Sequence, residues 1–218
     1  MSTRARWTLL ILCCAASTFP ADSARAAAVG ALLGANRCSI SGDAPLNTSY
    51  GGGTGLIVGA QGEIALTQDI ALSIQPMLAQ SRTELKSAES EDEGSERTLD
   101  LALDYVSIPV VVKFRAAGGR TYFAGGVDVG FLSSASLTGD GVDEDVKSLF
   151  HDVNVGALFG FGVVFPVGRP RLTTELRYVQ GLVNLSGAEQ GLIQELPDRF
   201  YSSGLQIMVG ILFPLGGR

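Results

Sequence analysis

The sequence is poor in the residues on which most enzymes, disulfide scaffolds and metal proteins depend. It has one histidine, His151, and three cysteines, of which Cys13 and Cys14 lie in an apolar segment near the amino terminus. If that segment is removed, only Cys38 remains, and no internal disulfide can form. We therefore expect no disulfide framework, no cofactor and no metal site, and few candidates for catalysis.

Positive charge is also scarce, with 16 basic residues against 22 acidic ones and a formal net charge of −6. Loss of the first 26 residues removes Arg4, Arg6, Arg25 and Asp22, which changes the net charge to −8. Nucleic acids and anionic membrane surfaces attract basic proteins, so this balance argues against both as partners.

Long apolar runs are missing beyond the amino-terminal segment. Arg4 and Arg6 precede an apolar stretch at 7–16 that is too short to span a bilayer, and Ala24-Arg25-Ala26 offers a cleavage site. We predict a signal peptide at 1–26 and a single domain at 27–218. No later stretch has the roughly 18 consecutive apolar residues that a transmembrane helix requires.

The sequence has alternation instead, most clearly between residues 152 and 185. From Val153 to Phe165 every second residue is apolar, with three phenylalanines, and three of the six residues between them are glycine, with Asn154 also among them. Side chains alternate across a strand with a period of two, so this pattern predicts a strand with an apolar face and a small-residue face. A crowded barrel interior accepts the small face, and the apolar face then turns towards lipid.

Eight such segments can be marked, and they predict an all-β fold: an eight-stranded antiparallel up-and-down transmembrane β-barrel of the outer-membrane type. Short connections alternate with long ones, as in barrels with short periplasmic turns and long extracellular loops. Pro76 should interrupt the third strand, because proline cannot donate to the ladder. The predicted strands are 29–40, 54–64, 70–80, 101–115, 121–137, 152–165, 171–185 and 199–213; the long connections are 41–53, 82–98, 138–151 and 186–198.

Aromatic residues are placed by height in this arrangement. Phe114, Phe123, Phe165 and Phe213 lie beside short turns or the carboxyl terminus, where they would form the inner aromatic girdle of a membrane barrel.

The interior would hold a polar network of two cations and three acids. We expect Arg177 to be the residue that contacts most of the others. The network could close the barrel as a plug of salt bridges, or it could conduct protons or ions. The network residues are Glu63, Lys113, Asp128, Glu175 and Arg177.

The pieces IPVVVKF (108–114), TYFAGGVDVGFL (121–132), VGALFGFGVVF (155–165) and LRYVQGLVNL (176–185) resemble the PorT-like family of outer-membrane β-barrel proteins. An Arg-Tyr-x-x-Gly-Leu-x-Asn strand of that family is matched by Arg177, Tyr178, Gly181, Leu182 and Asn184. The resemblance implies an eight-stranded barrel in a Gram-negative outer membrane, with founding members linked to protein secretion and gliding. The chain departs from the usual barrel ending, because Pro-Leu-Gly-Gly-Arg follows Phe213.

These observations favour a non-catalytic integral outer-membrane protein that works through its extracellular loops. Its partners would be outer-membrane lipid, the barrel-assembly machinery and a protein bound at the loops, in secretion or envelope assembly. The acidic loop at 82–100 lacks the spacing of a calcium loop. Two alternatives stay open. One is an outer-membrane enzyme that uses His151 with Ser133, Ser134 or Ser136, and the other is a soluble periplasmic barrel with its apolar face around a lipid.

Overall fold

The computed structural model describes residues 27–42, 48–88, 96–116, 118–139, 142–183 and 200–216. It contains strands and one short 3-10 helix, Lys147–Leu149, and no helix in this part of the chain has the length and apolar character needed to cross a bilayer. The strands are β1 Ala27–Gly42, β2 Thr48–Ala65, β3 Ile70–Ile74, β4 Met77–Ala88, β5 Glu96–Ser107, β6 Val110–Arg115, β7 Thr121–Gly139, β8 Val142–Asp145, β9 Val153–Pro166, β10 Arg171–Gly181 and β11 Phe200–Leu215.

The strands form a closed antiparallel ring. β3 with β4, and β5 with β6, each make one interrupted barrel strand, β8 pairs only with β7, and β1 pairs with both β2 and β11. The predicted eight-stranded up-and-down barrel is therefore confirmed. When the register is followed once around the ring from Ala27, it returns to β1 at Arg37, a stagger of ten residues. That stagger tilts the strands by about 43° for ordinary strand spacings.

Two prolines explain the interrupted strands. The break between β3 and β4 falls at Gln75–Pro76, as Pro76 predicted, and a second, unpredicted break between β5 and β6 falls at Ile108–Pro109. A proline removes one donor from the ladder. The two breaks are neighbours, and the backbone N–H of Gln75 still donates to the carbonyl of Pro109 at 3.0 Å.

Side chains on the two faces of the ring differ as the alternation predicts. The outward face carries exposed bulky residues, such as Phe159 with 66% of its surface exposed and Ile207 with 59%. The inward face buries polar and small residues, including Arg177 and Glu175. A soluble lipid-holding barrel would need these two side chains outside, so that alternative is wrong.

The predicted loops were too long. β2 begins at Thr48, β4 continues to Ala88 and β5 begins at Glu96, so strands extend into the segments 41–53 and 82–98. β8 adds a short pair to β7 within 138–151. Outside the bilayer a strand has no lipid-facing side, so it continues by backbone pairing without an apolar alternation to reveal it. The acidic residues Glu89 to Glu93 and the whole of 186–198 lie outside the described residues.

Short turns join β2 to β3, β6 to β7 and β9 to β10 at one end of the barrel, which we call the short-turn end. The first residue of β1 and the last of β11 pair there, as Ala27 with Leu215. The other end, where the connections are longer, is the long-connection end. The side chains that fill the interior differ between these two ends.

Candidate functional site

The interior near the short-turn end is filled by basic and acidic side chains and one tyrosine. Every one of its members comes from an inward position within a few residues of a turn, so the closed ring brings together residues that are distant in sequence. We call this group the charged layer, and it consists of Glu63, Lys113, Tyr122, Glu175 and Arg177, with Arg115 and Arg171 at its outer edge.

Glu63 is the centre of the layer, in contrast to the expectation that Arg177 would be. Among the described residues its carboxylate contacts three cations. Lys113 Nζ lies 3.1 Å from Oε2, and Nη2 of Arg115 and of Arg171 lie 2.8 and 3.4 Å from Oε1. Lys113 is only 2% exposed, whereas the two arginines reach the mouth of the barrel. A buried cation requires a partner, so Glu63 compensates Lys113 above all.

Glu175 forms the second half of the layer. The hydroxyl of Tyr122 donates to its Oε2 at 2.7 Å, and Arg177 Nη2 lies 2.8 Å from its Oε1. Arg177 also donates to the side-chain oxygen of Gln75. Lys113 lies 4.0 Å from Glu175 and 4.9 Å from the centre of the Tyr122 ring, so it joins the two halves.

Glycines on β9 make room for these long side chains. A Cβ atom on Gly160 would lie 2.9 Å from Cβ of Arg177, and a Cβ on Gly162 would overlap the ring of Tyr122. The small-residue face of this strand therefore serves the packing of two specific neighbours. The charged layer occupies the volume that side chains at 160 and 162 would otherwise take.

The structure brings four of the five predicted network residues together and leaves one apart. Asp128 lies higher on β7 and accepts a hydrogen bond from Ser107, and no ion pair joins it to a cation of the described residues. Sequence reasoning missed Tyr122, Arg115 and Arg171. Tyr122 carried a usable signal, because it alternates with the outward Phe123 and must face inward. The two arginines carried the same signal, because Arg115 alternates in phase with Lys113 and Arg171 in phase with Glu175, but both lie at the ends of the predicted strands.

The family-motif residues divide between the two faces. Arg177 is buried in the charged layer, Tyr178 and Leu182 are exposed, and Gly181 is buried beside Ser202. Asn184 lies outside the described residues. The motif therefore combines an interior cation with two lipid-side residues.

The four girdle phenylalanines are all outward and about half exposed. The Phe123 ring also packs against Phe161, with ring centres 5.7 Å apart. Phe123 lies two residues from the start of β7, whereas Phe159 lies near the middle of β9. Phe123 pairs with Phe161, and Phe159 lies two residues further from the short-turn end. If the exposed band contacts lipid, Phe123 and Phe159 differ in depth by roughly 8 Å, from the strand rise, spacing and tilt.

We expect tryptophan substitutions to report this depth difference. In a Trp7→Phe background, Phe159→Trp should be quenched best by lipids brominated deep in the acyl chain, and Phe123→Trp by lipids brominated near the headgroup. Arg120→Trp, at an exposed turn, is the control and should show solvent-exposed emission with little quenching. Equal quenching of all three variants would contradict the girdle assignment.

His151 and the serines considered for catalysis do not form a catalytic arrangement in the described part of the chain. His151 is exposed, and no hydrogen bond or ion pair joins it to a serine or a carboxylate there. Ser134 donates to Asp104 instead, and the carbonyl of Ser133 accepts from Lys147. Nucleophilic catalysis needs a base within reach of the nucleophile, which these contacts do not provide.

A closed ring of eight antiparallel strands, apolar outside and charged within, defines a small outer-membrane β-barrel. The family described as outer membrane protein beta-barrel domain matches residues 15–187. The chain belongs to this family.

Solved structures of other outer-membrane barrels are similar at low sequence identity. Ail of Yersinia pestis, solved with a heparin analogue, is 14% identical over 86% of this chain and 99% of its own, with a TM-score of 0.46. OprG of Pseudomonas aeruginosa is 9% identical over 89% and 97%, with a TM-score of 0.47. Neisserial surface protein A is 14% identical over 84% and 97%, with a TM-score of 0.44. No curated protein matches the chain.

Proposed function

We propose that this protein is a non-catalytic, non-conducting anchor in the outer membrane whose extracellular loops contact a partner in secretion or envelope assembly. The observation that carries the proposal is the charged layer. Arg177 and Lys113 are 1% and 2% exposed and are held by Glu175 and Glu63. An eight-stranded barrel is just wide enough for its own side chains to fill, so such a layer closes it.

The same proposal covers export and assembly. Residues 1–26 would direct export and be removed. The assembly machinery would read the end of β11, where Phe213 and Leu215 both point outward, 49% and 54% exposed. The placement within the PorT-like branch of the family rests on Arg177, Tyr178 and Gly181 and on the strand patterns around them.

Fractionation and protease shaving test the topology. We expect the protein in the outer-membrane fraction, with heat-modifiable migration, and cleavage by external protease only at the long-connection end, between 84 and 99 or between 138 and 151. Purified protein in planar bilayers should show no steady conductance. Stable channels or cleavage at the short turns of intact cells would contradict the proposal.

The partner is tested by a photo-reactive amino acid at an exposed site on each end. Glu144 is exposed near the long-connection end, and Arg120 is exposed in a short turn. We expect a discrete adduct in intact cells from position 144 and none from position 120. An adduct only from position 120 would place the partner on the periplasmic side instead.

A further inference from the structure

The interior towards the long-connection end is not filled. It contains a cavity of about 60 Å³, which we call the upper cavity, lined by inward residues of several ring strands. A single water occupies about 10–15 Å³ on this measure, so the cavity has room for an ion with some of its water. The residues on which the argument depends are Asn36, Tyr105, Asp128, Asn154 and Gln206.

Four of these five residues carry a polar atom that has no hydrogen-bond partner among the described residues. The atoms are Oδ1 of Asn36, Oδ1 of Asn154, Oε1 of Gln206 and the hydroxyl of Tyr105. Asn36 and Gln206 are 4% exposed and Tyr105 is 7% exposed. Each unsatisfied buried group costs about 1–3 kcal/mol, and folded proteins leave few of them. Several in one cavity indicate that something else satisfies them.

The orientation of the asparagine side chains shows what the cavity presents. Asn36 Nδ2 donates to the carbonyl of Gln80 at 3.3 Å and to Ser81 at 3.2 Å, and Asn154 Nδ2 donates to Ser202 at 3.1 Å. A carbonyl only accepts, so the amide nitrogen of Asn36 must point at Gln80 and its oxygen must point away. The protein thus uses the amide donors and leaves oxygens for the cavity.

The register brings these oxygens together. Asn36 and Gln206 are direct partners across β1 and β11. Asp128 pairs with Gly156, so Asn154 is its diagonal neighbour on β9. Asn154 reaches Ser202 across Gly181, where a Cβ atom would lie 2.8 Å from the carbonyl of Ser202. Gly181, a residue of the family motif, therefore keeps this crossing open.

We propose that the upper cavity binds a hard cation through these oxygens. Carboxylates, amide carbonyl oxygens and water are the ligands that Ca²⁺ takes, and the cavity offers one carboxylate and three amide oxygens beside the Tyr105 hydroxyl. In the described part of the chain no three His, Cys, Asp or Glu side chains are grouped to hold a metal ion, so the site depends on neutral oxygens around Asp128. Arg177 Nη2 is paired with Glu175, but the Arg177 charge also acts on Asp128, so a bound cation competes with it for this carboxylate.

Terbium luminescence tests the site, because Tb³⁺ replaces Ca²⁺ and a nearby tyrosine sensitises its emission. The refolded full barrel in detergent should show a saturable signal that excess Ca²⁺ displaces. Asp128→Asn keeps the shape and the hydrogen bond from Ser107 but removes the charge, and it should weaken binding at least about tenfold because charge count sets affinity in such sites. Tyr105→Phe should remove the signal.

Asp104→Asn is the matched control. Asp104 also accepts from a serine on the paired strand, Ser134, but this pair is exposed on the outer face. It should leave binding unchanged, whereas Asn154→Asp, which adds a carboxylate, should strengthen binding at least about tenfold. Heat-modifiable migration checks that each variant folds. Unchanged terbium affinity in Asp128→Asn, a signal that survives Tyr105→Phe, or equal weakening by Asp104→Asn would overturn the proposal.

Discussion

Glu63→Gln should destabilise the barrel strongly. The substitution keeps the volume but leaves Lys113 buried with its next acid, Glu175, at 4.0 Å. Removal of one partner of a buried ion pair costs about 3–5 kcal/mol, because the remaining charge is uncompensated. We expect a lower denaturant midpoint in detergent, with a loss towards the lower end of that range, since Arg115 and Arg171 are partly exposed and contribute less.

Two variants separate this effect from general loss of charge. Asp69→Asn removes a carboxylate from an exposed turn and should change the midpoint little. Lys113→Met in addition to Glu63→Gln removes the uncompensated cation and should recover most of the loss. If the double variant is as unstable as Glu63→Gln alone, the pair is not what the substitution breaks.

Gly162→Leu should prevent the barrel from reaching its folded, heat-modifiable form. The new side chain would occupy the space of the Tyr122 ring, which is 2% exposed and cannot move without losing its hydrogen bond to Glu175. Overpacking of a filled interior costs about 1–3 kcal/mol before the broken hydrogen bond is counted. Refolding yield, measured by gel mobility with and without heating, gives the result directly.

Gly125→Leu is the matched control for this substitution. Gly125 lies on β7 with no atom within 4 Å of the position of its Cβ. The same added side chain should therefore leave refolding yield unchanged. Tyr122→Ala combined with Gly162→Leu should restore part of the yield, because it clears the space. Equal failure at positions 125 and 162 would show that strand glycines are needed for backbone reasons alone.

The membrane-facing part of the barrel was predictable because every second side chain of a strand that faces lipid must be apolar. Strands that cross the apolar layer therefore show an apolar residue at every second position, and Phe159 and Ile207 are examples. Strands outside the apolar layer do not need apolar residues at alternate positions. The extension of β4 to Ala88 and the pairing of β8 with β7 therefore could not be predicted from alternation. Pro109 is the cause of the second break, but the apolar alternation continues on both sides of it, so one unbroken strand was predicted at 101–115.

The interior was predictable in composition but not in partners. Inward facing of Glu63, Lys113, Glu175 and Arg177 follows from alternation, whereas their pairing depends on the stagger of the ring. That stagger places Glu63 near three cations and leaves Asp128 beside Ser107. The upper cavity depends on amide orientations set by Gln80 and Ser202, which no local pattern contains.

The seam between β1 and β11 joins the two ends of the chain over the full length of both strands, from Ala27 with Leu215 to Gly42 with Phe200. Until the last strand has crossed the inner membrane, the first has no partner on one side, and both edges are open to other chains. The barrel therefore closes only when both β1 and β11 are present. A barrel that lacks β1 or β11 cannot close in this register, and two strand edges stay unpaired.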